Sequence, residues 1–372
     1  MTQTVMTGEP TRSADAGAGA GHDADPDKVM AFVNRAIEEV GATLNAGLVV
    51  LGDRLGYYRA MAAHGPVDAA ALAAATSTAE PYVREWLNGQ AAGGFVDYDP
   101  ATRTYTLPVE HAIALTDESS PAFLPGFFQL ALGILHDTDA VVEAARHGGG
   151  VGWHQHCSDV FLGVERFFRP GYQANLVADW LPAVGAVDRL EQGALVADLG
   201  CGHGSSTILL AQAFPRCTVI GYDYHPESIA IASERADRAG VGERVRFEQA
   251  SAQAFPGTGF DLITTFDALH DMGDPVGAAR HVRAALADDG IWMVVEPMAG
   301  DRPEDNFTPV GRVYYGGSTL LCTPASLAQD VGLGLGNQLG ANRLREITVA
   351  GGFSRFRVAA ETPFNLILDV RP

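Results

Sequence analysis

The sequence predicts an α/β protein, with a doubly wound, mostly parallel sheet in its C-terminal half and a mostly helical segment ahead of it. Three observations carry this. The apolar run Leu195-Val196-Ala197-Asp198-Leu199 reads as a buried strand, and it ends in a turn with glycines at 200, 202 and 204 before an amphipathic helix from Ser206 to Phe214. Further apolar runs at 218–222, 245–248, 260–267 and 290–296 supply the other parallel strands. The last segments, 353–360 and 363–370, read as an antiparallel hairpin at the sheet edge.

The glycine turn is informative in its chemistry. Its spacing is G-x-G-x-G behind the acid Asp198, not the G-x-G-x-x-G of dinucleotide binders. A carboxylate there repels a pyrophosphate and welcomes an ammonium group. Nineteen residues beyond Gly204, Asp223 closes the second strand, where an acid takes ribose hydroxyls. A ribose, a cationic amino-acid end and no pyrophosphate together describe S-adenosylmethionine. Residues 195–207 with Asp223 resemble the first motifs of class I S-adenosylmethionine-dependent methyltransferases. The resemblance implies a Rossmann-like seven-stranded methyltransferase sheet. It also implies cofactor contacts from Asp198, Gly200, Cys201, Gly202, Gly204, Asp223, Tyr224, Ser251, Ala252, Asp267 and Ala268. Ser251 stands where the pattern often has an acid for the adenine amino group, so the backbone of Ala252 is the expected substitute.

Composition bounds the partners. The 372 residues are 47% hydrophobic, enough for two domains, and the net charge of −20 weighs against nucleic acid or an anionic membrane. Four cysteines without a C-x-x-C, no signal-peptide pattern and no apolar run of about 18 residues make a cytoplasmic protein the expectation. The pair His154 and His156 beside Cys157 has no second ligand pair at suitable spacing, so no metal site is expected.

In chain order, residues 1–26 are rich in Gly, Ala, Asp and Thr and are expected to be a disordered tail. Asp27 is the expected cap of a helix running toward Leu51 with a broad apolar face, suited to a second subunit. The helices 69–75 and 80–87, then strands 93–98 and 103–107 around the turn 99–102, resemble a winged-helix domain, placed at 27–118. Residues 1–150 hold 8 Lys and Arg against 19 Asp and Glu, which favours a dimerisation module over a DNA reader. Residues 119–190 read as helical and aromatic, with Pro121, Pro125 and Pro170 as breakers. They form a linker and active-site cap, from which Tyr172 is expected to touch the methionine end of the cofactor.

The methyltransferase domain is placed at 191–372, with 298–342 inserted as a lid because long loops without periodicity tend to be functional. His270 follows the fourth strand amid Asp267, Asp271 and Asp274, and is the expected general base, with Glu296 at the end of the fifth strand as the second catalytic candidate. The expected function is methyl transfer to a small-molecule acceptor of specialised metabolism, by a homodimer. The combination of winged helix, Asp-Ala-Leu-His-Asp-Met-Gly-Asp-Pro at 267–275 and Thr362-Pro363-Phe364-Asn365 resembles a poorly characterised actinobacterial methyltransferase family. Two alternatives stand beside that function: a cofactor-sensing transcriptional regulator, and an enzyme that uses the cofactor's charge without transferring methyl.

Overall fold

The computed structural model describes residues 24–372, so the tail expected at 1–26 lies outside the described residues except for its last three. Two compact units divide at 45/46. The first contributes most of a 29-residue helix, Pro26–Arg54. Asp25, not Asp27, begins it: its Oδ1 accepts the Asp27 amide at 3.0 Å, and Pro26 takes the first-turn position where a missing N–H costs nothing.

In the second unit, helices Tyr57–His64, Ala69–Thr76 and Glu80–Ala92 surround a core of Tyr57, Tyr58, Leu72, Val83, Trp86 and Leu87. Asp68 caps the middle helix through the Ala71 amide at 2.8 Å. The wing is shorter than its sequence pattern: β1 (Asp97–Asp99) pairs antiparallel with β2 (Thr104–Thr106) around the Asp99 turn.

The large sheet holds β3 (Leu195–Leu199), β4 (Thr218–Asp223), β5 (Val245–Gln249), β6 (Phe260–Phe266), β7 (Leu286–Pro297), β8 (Arg355–Glu361) and β9 (Asn365–Arg371). Their order is β5-β4-β3-β6-β7-β9-β8, parallel from β5 to β7 and antiparallel through the closing hairpin. Side chains alternate between the two faces. Ile291, Met293 and Val295 of β7 join the core beneath Tyr172, Leu176 and Trp180, while Trp292 and Val294 join the core on the opposite face with Val282 and Ile347. Strand order reverses direction between β3 and β6, and the crevice at the carboxyl ends of these strands is where such sheets bind ligands.

Two expectations are corrected. Pro170 does not break a helix: Ser158–Asn175 runs through it, with Pro170 buried, and continues into a wider turn at Leu176–Trp180. The ring removes one backbone donor, and tertiary contacts on the same helix hold it together. The stretch 298–342 is not a bare loop either. It contains helices Pro309–Gly317 and Thr323–Leu327, joined by a wider helical turn at Ser318–Cys322. Gly316 and Gly317 mask the periodicity in the sequence.

Candidate active site

The three loop glycines all adopt the left-handed region, with φ of 71°, 51° and 76° at 200, 202 and 204. A Cβ on Gly204 would stand 2.6 Å from the Phe247 ring, so glycine there serves both the turn and the packing. Beyond the turn the helix Ser205–Ala213 presents its N-terminus to a cavity of about 620 Å³ at the carboxyl ends of the strands.

Of the residues expected at the cofactor, Tyr172, Gly200, Cys201, Gly202, Asp223, Tyr224, Ser251, Ala252, Asp267 and Ala268 line this cavity. Asp223 is held by two backbone amides, Gly202 to Oδ2 and His225 to Oδ1, each at 2.9 Å. Burial raises its pKa, against the pull of those amides. Asp267 has φ 47° and accepts from Asn365 Nδ2 at Oδ1, 3.0 Å. Its Oδ2 is buried without a hydrogen-bond partner, and burial, reinforced by Glu296, raises its pKa well above the ordinary carboxylate range.

Asp198 and Gly204 do not line the cavity. Asp198 is fully buried behind the loop, its Oδ2 accepting from Ser206 Oγ (2.7 Å) and Thr207 Oγ1 (2.6 Å) and its Oδ1 from Thr264 Oγ1 (2.9 Å). The acid expected to meet an ammonium group instead ties β3, β6 and the first turn of the following helix together. The catalytic candidates are displaced too. His270 and Glu296 are buried and neither lines the cavity. Glu296 Oε1 accepts the Leu269 amide at 3.0 Å and Oε2 meets His270 Nδ1 at 2.7 Å, which ties the ring to the end of β7. His270 Nε2 lies 3.2 Å from Asp271 Oδ1, so both ring nitrogens face carboxylates of this chain. Burial alone would lower the His270 pKa, but Glu296 and Asp271 outweigh it and raise it.

Trp153, Phe161 and Phe168, aromatic residues of the segment read as a cap, line the wall. Sequence reading missed Val164 beside them, and Ala325, Gln329, Asp330 and Val331 from the 298–342 excursion. Glu165 anchors the cap to the glycine loop: Ser205 Oγ donates to it at 2.9 Å, and Arg235 Nη2 at 2.6 Å. Nothing in the local sequence around Glu165 signals a partner 70 residues away. Among the described residues, those that line the cavity include Glu165, Asp223, Asp267, Asp271, Asp274 and Asp330 but no lysine or arginine. Such a wall disfavours an anion and favours a cation.

Comparison with known proteins agrees with this geometry. Residues 190–313 match the family described as "Methyltransferase domain", and residues 43–117 match the "Rv2258c-like winged HTH domain". The chain carries a methyltransferase domain behind a winged helix. Its fold is the class I S-adenosylmethionine-dependent methyltransferase fold. A mitomycin 7-O-methyltransferase aligns with a TM-score of 0.66 at 18% identity, over 94% of this chain and 100% of that one. Human N-acetylserotonin methyltransferase, solved with S-adenosylmethionine, aligns with a TM-score of 0.65 at 16% identity, over 95% and 99%. In sequence, an uncharacterised methyltransferase of Bacillus subtilis is 36% identical over 29% of this chain and 42% of its own length. The 27-O-demethylrifamycin SV methyltransferase of Amycolatopsis mediterranei is 29% identical over 42% and 47%. The first curated relatives are matched over 42%, 24% and 54% of their lengths, so the chain spans about half or less of them. Among the described residues, no helix is long and apolar enough to cross a membrane.

Proposed function

We propose that this protein transfers a methyl group from S-adenosylmethionine to a small-molecule acceptor of specialised metabolism. The observation that carries the reading is the pair of acids facing one cavity from either side of the glycine loop. Asp223 ends β4 and Asp267 follows β6, and the wall between them holds no cationic side chain. Asp223 keeps acceptor capacity for two ribose hydroxyls while its amide bonds fix its orientation. The orphaned Oδ2 of Asp267 suits the ammonium of the methionine end. Ser251, Ala252 and Gln253 offer the adenine edge, joined by Asp274 and Asp330.

When bound, the cofactor supplies an electrophilic methyl on a cationic sulfur. The chain's contribution is to hold it in line with the acceptor and to exclude water. Tyr172, Phe168, Phe161 and Trp153 form the apolar side of the cavity and would do the second of these.

We also propose a homodimer built on the apolar stripe of Pro26–Arg54, and no DNA-binding role for the winged helix. Arg84, the one basic residue of Glu80–Ala92, pairs with Glu80 at 3.1 Å and with Glu85 at 3.3 Å.

The test of the cofactor reading is calorimetry. Wild-type protein should bind S-adenosylmethionine and its demethylated product, and Asp223→Ala should weaken both by roughly 1–3 kcal/mol, the value of a charge-assisted pair of hydrogen bonds. Equal affinity of wild type and variant overturns the assignment of Asp223.

A further inference from the structure

The deepest unexplained cluster lies one side chain behind the cavity wall. His270 Nε2, Asp271 Oδ1 and Cys322 Sγ converge from two separate elements, the turn Leu269–Asp271 at the end of β6 and the segment Ser318–Cys322 of the excursion. All three donor atoms lie within 4.8 Å of one another. Tetrahedral zinc with nitrogen, oxygen and sulfur ligands needs donors roughly 3.2–3.8 Å apart, so small side-chain movements close the set. The His270–Asp271 pair already stands at 3.2 Å.

We propose that these three side chains bind a divalent cation of borderline softness, zinc in the first instance, clasping the excursion to the rim of the active site. Three features beyond the convergence point to a ligand. Asp271 Oδ1 is buried and aimed at the other two donors, with His270 Nε2 at 3.2 Å and the Cys322 thiol beside its carboxylate. Asn337, only 6% exposed, donates from Nδ2 to Cys322 Sγ at 3.5 Å and so orients the sulfur behind the cluster. Glu296 holds His270 Nδ1 at 2.7 Å, which directs Nε2 toward Asp271 and Cys322, as carboxylates do behind metal-bound histidines. The donor set selects the ion: a thiol and an imidazole favour zinc over magnesium or calcium, which take oxygen. The fourth position falls to water or to a group entering from the side of Asp271, which also lines the cavity.

The inference does not rest on methyl transfer, since the metal is read without cofactor or acceptor. Chelator-stripped, full-length protein is titrated with cobalt(II) and with zinc. The expected result is saturable binding, a thiolate-to-cobalt absorption band and a higher melting temperature with zinc. Cys322→Ser should abolish the band. Glu296→Gln should weaken zinc by about 10–100-fold, as loss of a carboxylate behind a histidine ligand does. Cys157→Ser is the control, because His136, Asp137 and Cys157 form another group of possible ligands nearer the surface. X-ray absorption on zinc-loaded wild type should show a sulfur ligand and needs no variant to fold. No binding by folded wild type overturns the proposal. So does a shell of nitrogen and oxygen alone, or a band that survives Cys322→Ser and disappears in Cys157→Ser.

Discussion

Asp267 stands apart from the other acids of the site because it combines a left-handed backbone with an oxygen that nothing among the described residues satisfies. Its raised pKa means that the empty folded protein holds that proton more readily than the unfolded chain does. The sign follows. This group costs stability as pH rises from the ordinary carboxylate range through its raised folded value, and the cost disappears again on acidification. A cationic ligand reverses the preference, lowering the pKa and releasing a proton on binding. S-adenosylmethionine affinity should therefore climb with pH across that window and level off above it. Calorimetry in buffers of different ionisation enthalpy reads the released proton directly. Asp267→Asn keeps the backbone conformation, since asparagine also tolerates positive φ. It should lose the pH dependence and weaken binding by roughly 1–3 kcal/mol, while melting higher than wild type at neutral pH. A variant that binds with wild-type pH dependence would exclude Asp267 as the ammonium partner.

Among the elements, the helix Ser158–Asn175 decides whether the site exists at all. One side of it carries Phe161, Val164, Glu165 and Phe168 to the cavity wall. Arg166, on the same helix, reaches the other way to Asp53 Oδ2 at 2.9 Å, Gln129 Oε1 at 3.0 Å and Glu118 Oε1 at 3.0 Å. Asp53 is only 6% exposed, so removing its guanidinium partner strands a buried charge. Arg166→Met should lower stability by about 2–4 kcal/mol, somewhat under the 3–5 kcal/mol typical of a fully buried pair, because Arg59 still approaches Asp53 at 3.4 Å. Chemical denaturation measures it. A loss under about 0.5 kcal/mol, the range of an ordinary surface substitution, would show that the network contributes little. Because this helix forms one wall of the cavity, cofactor affinity should fall in the same variant even where it remains folded.

For the whole molecule, the open question is assembly. Val29, Val33, Ile37, Val40 and Leu44 recur at helical spacing along one side of Pro26–Arg54, and Ile37 and Leu44 are 63% and 70% exposed. An apolar stripe of that length in water predicts self-association. Light scattering should show a dimer for the full chain and a monomer for the double substitution Ile37→Glu, Leu44→Glu. A wild-type monomer at micromolar concentration refutes the interface. The net charge of −20 would keep the proposed dimer from associating further and argues the same way as Arg84 about DNA.

Much of the molecule was legible in the chain because local chemistry dictates it. The strand, the glycine turn and Asp223 form one contiguous signal: backbone conformation selects glycine and β4 ends one strand away. That signal gave the sheet, the ligand crevice and most of the wall on the glycine-loop side, and the winged helix was readable from turn and cap chemistry in the same way. What the sequence could not fix is which way a buried polar side chain turns. Asp198 and His270 both read as groups facing a ligand, and both point inward, because hydroxyls from Thr207 and Thr264 and the carboxylate of Glu296 arrive from elements 9, 66 and 26 residues away. Pro170 read as a stop and is carried inside a helix by contacts from other elements. The approach of Cys322 to His270, across about 50 residues of chain, has no local signature at all. Such pairings follow from the packing of the excursion on the sheet's rim, where the cost of an unsatisfied buried group, not any propensity of the chain, decides the partner.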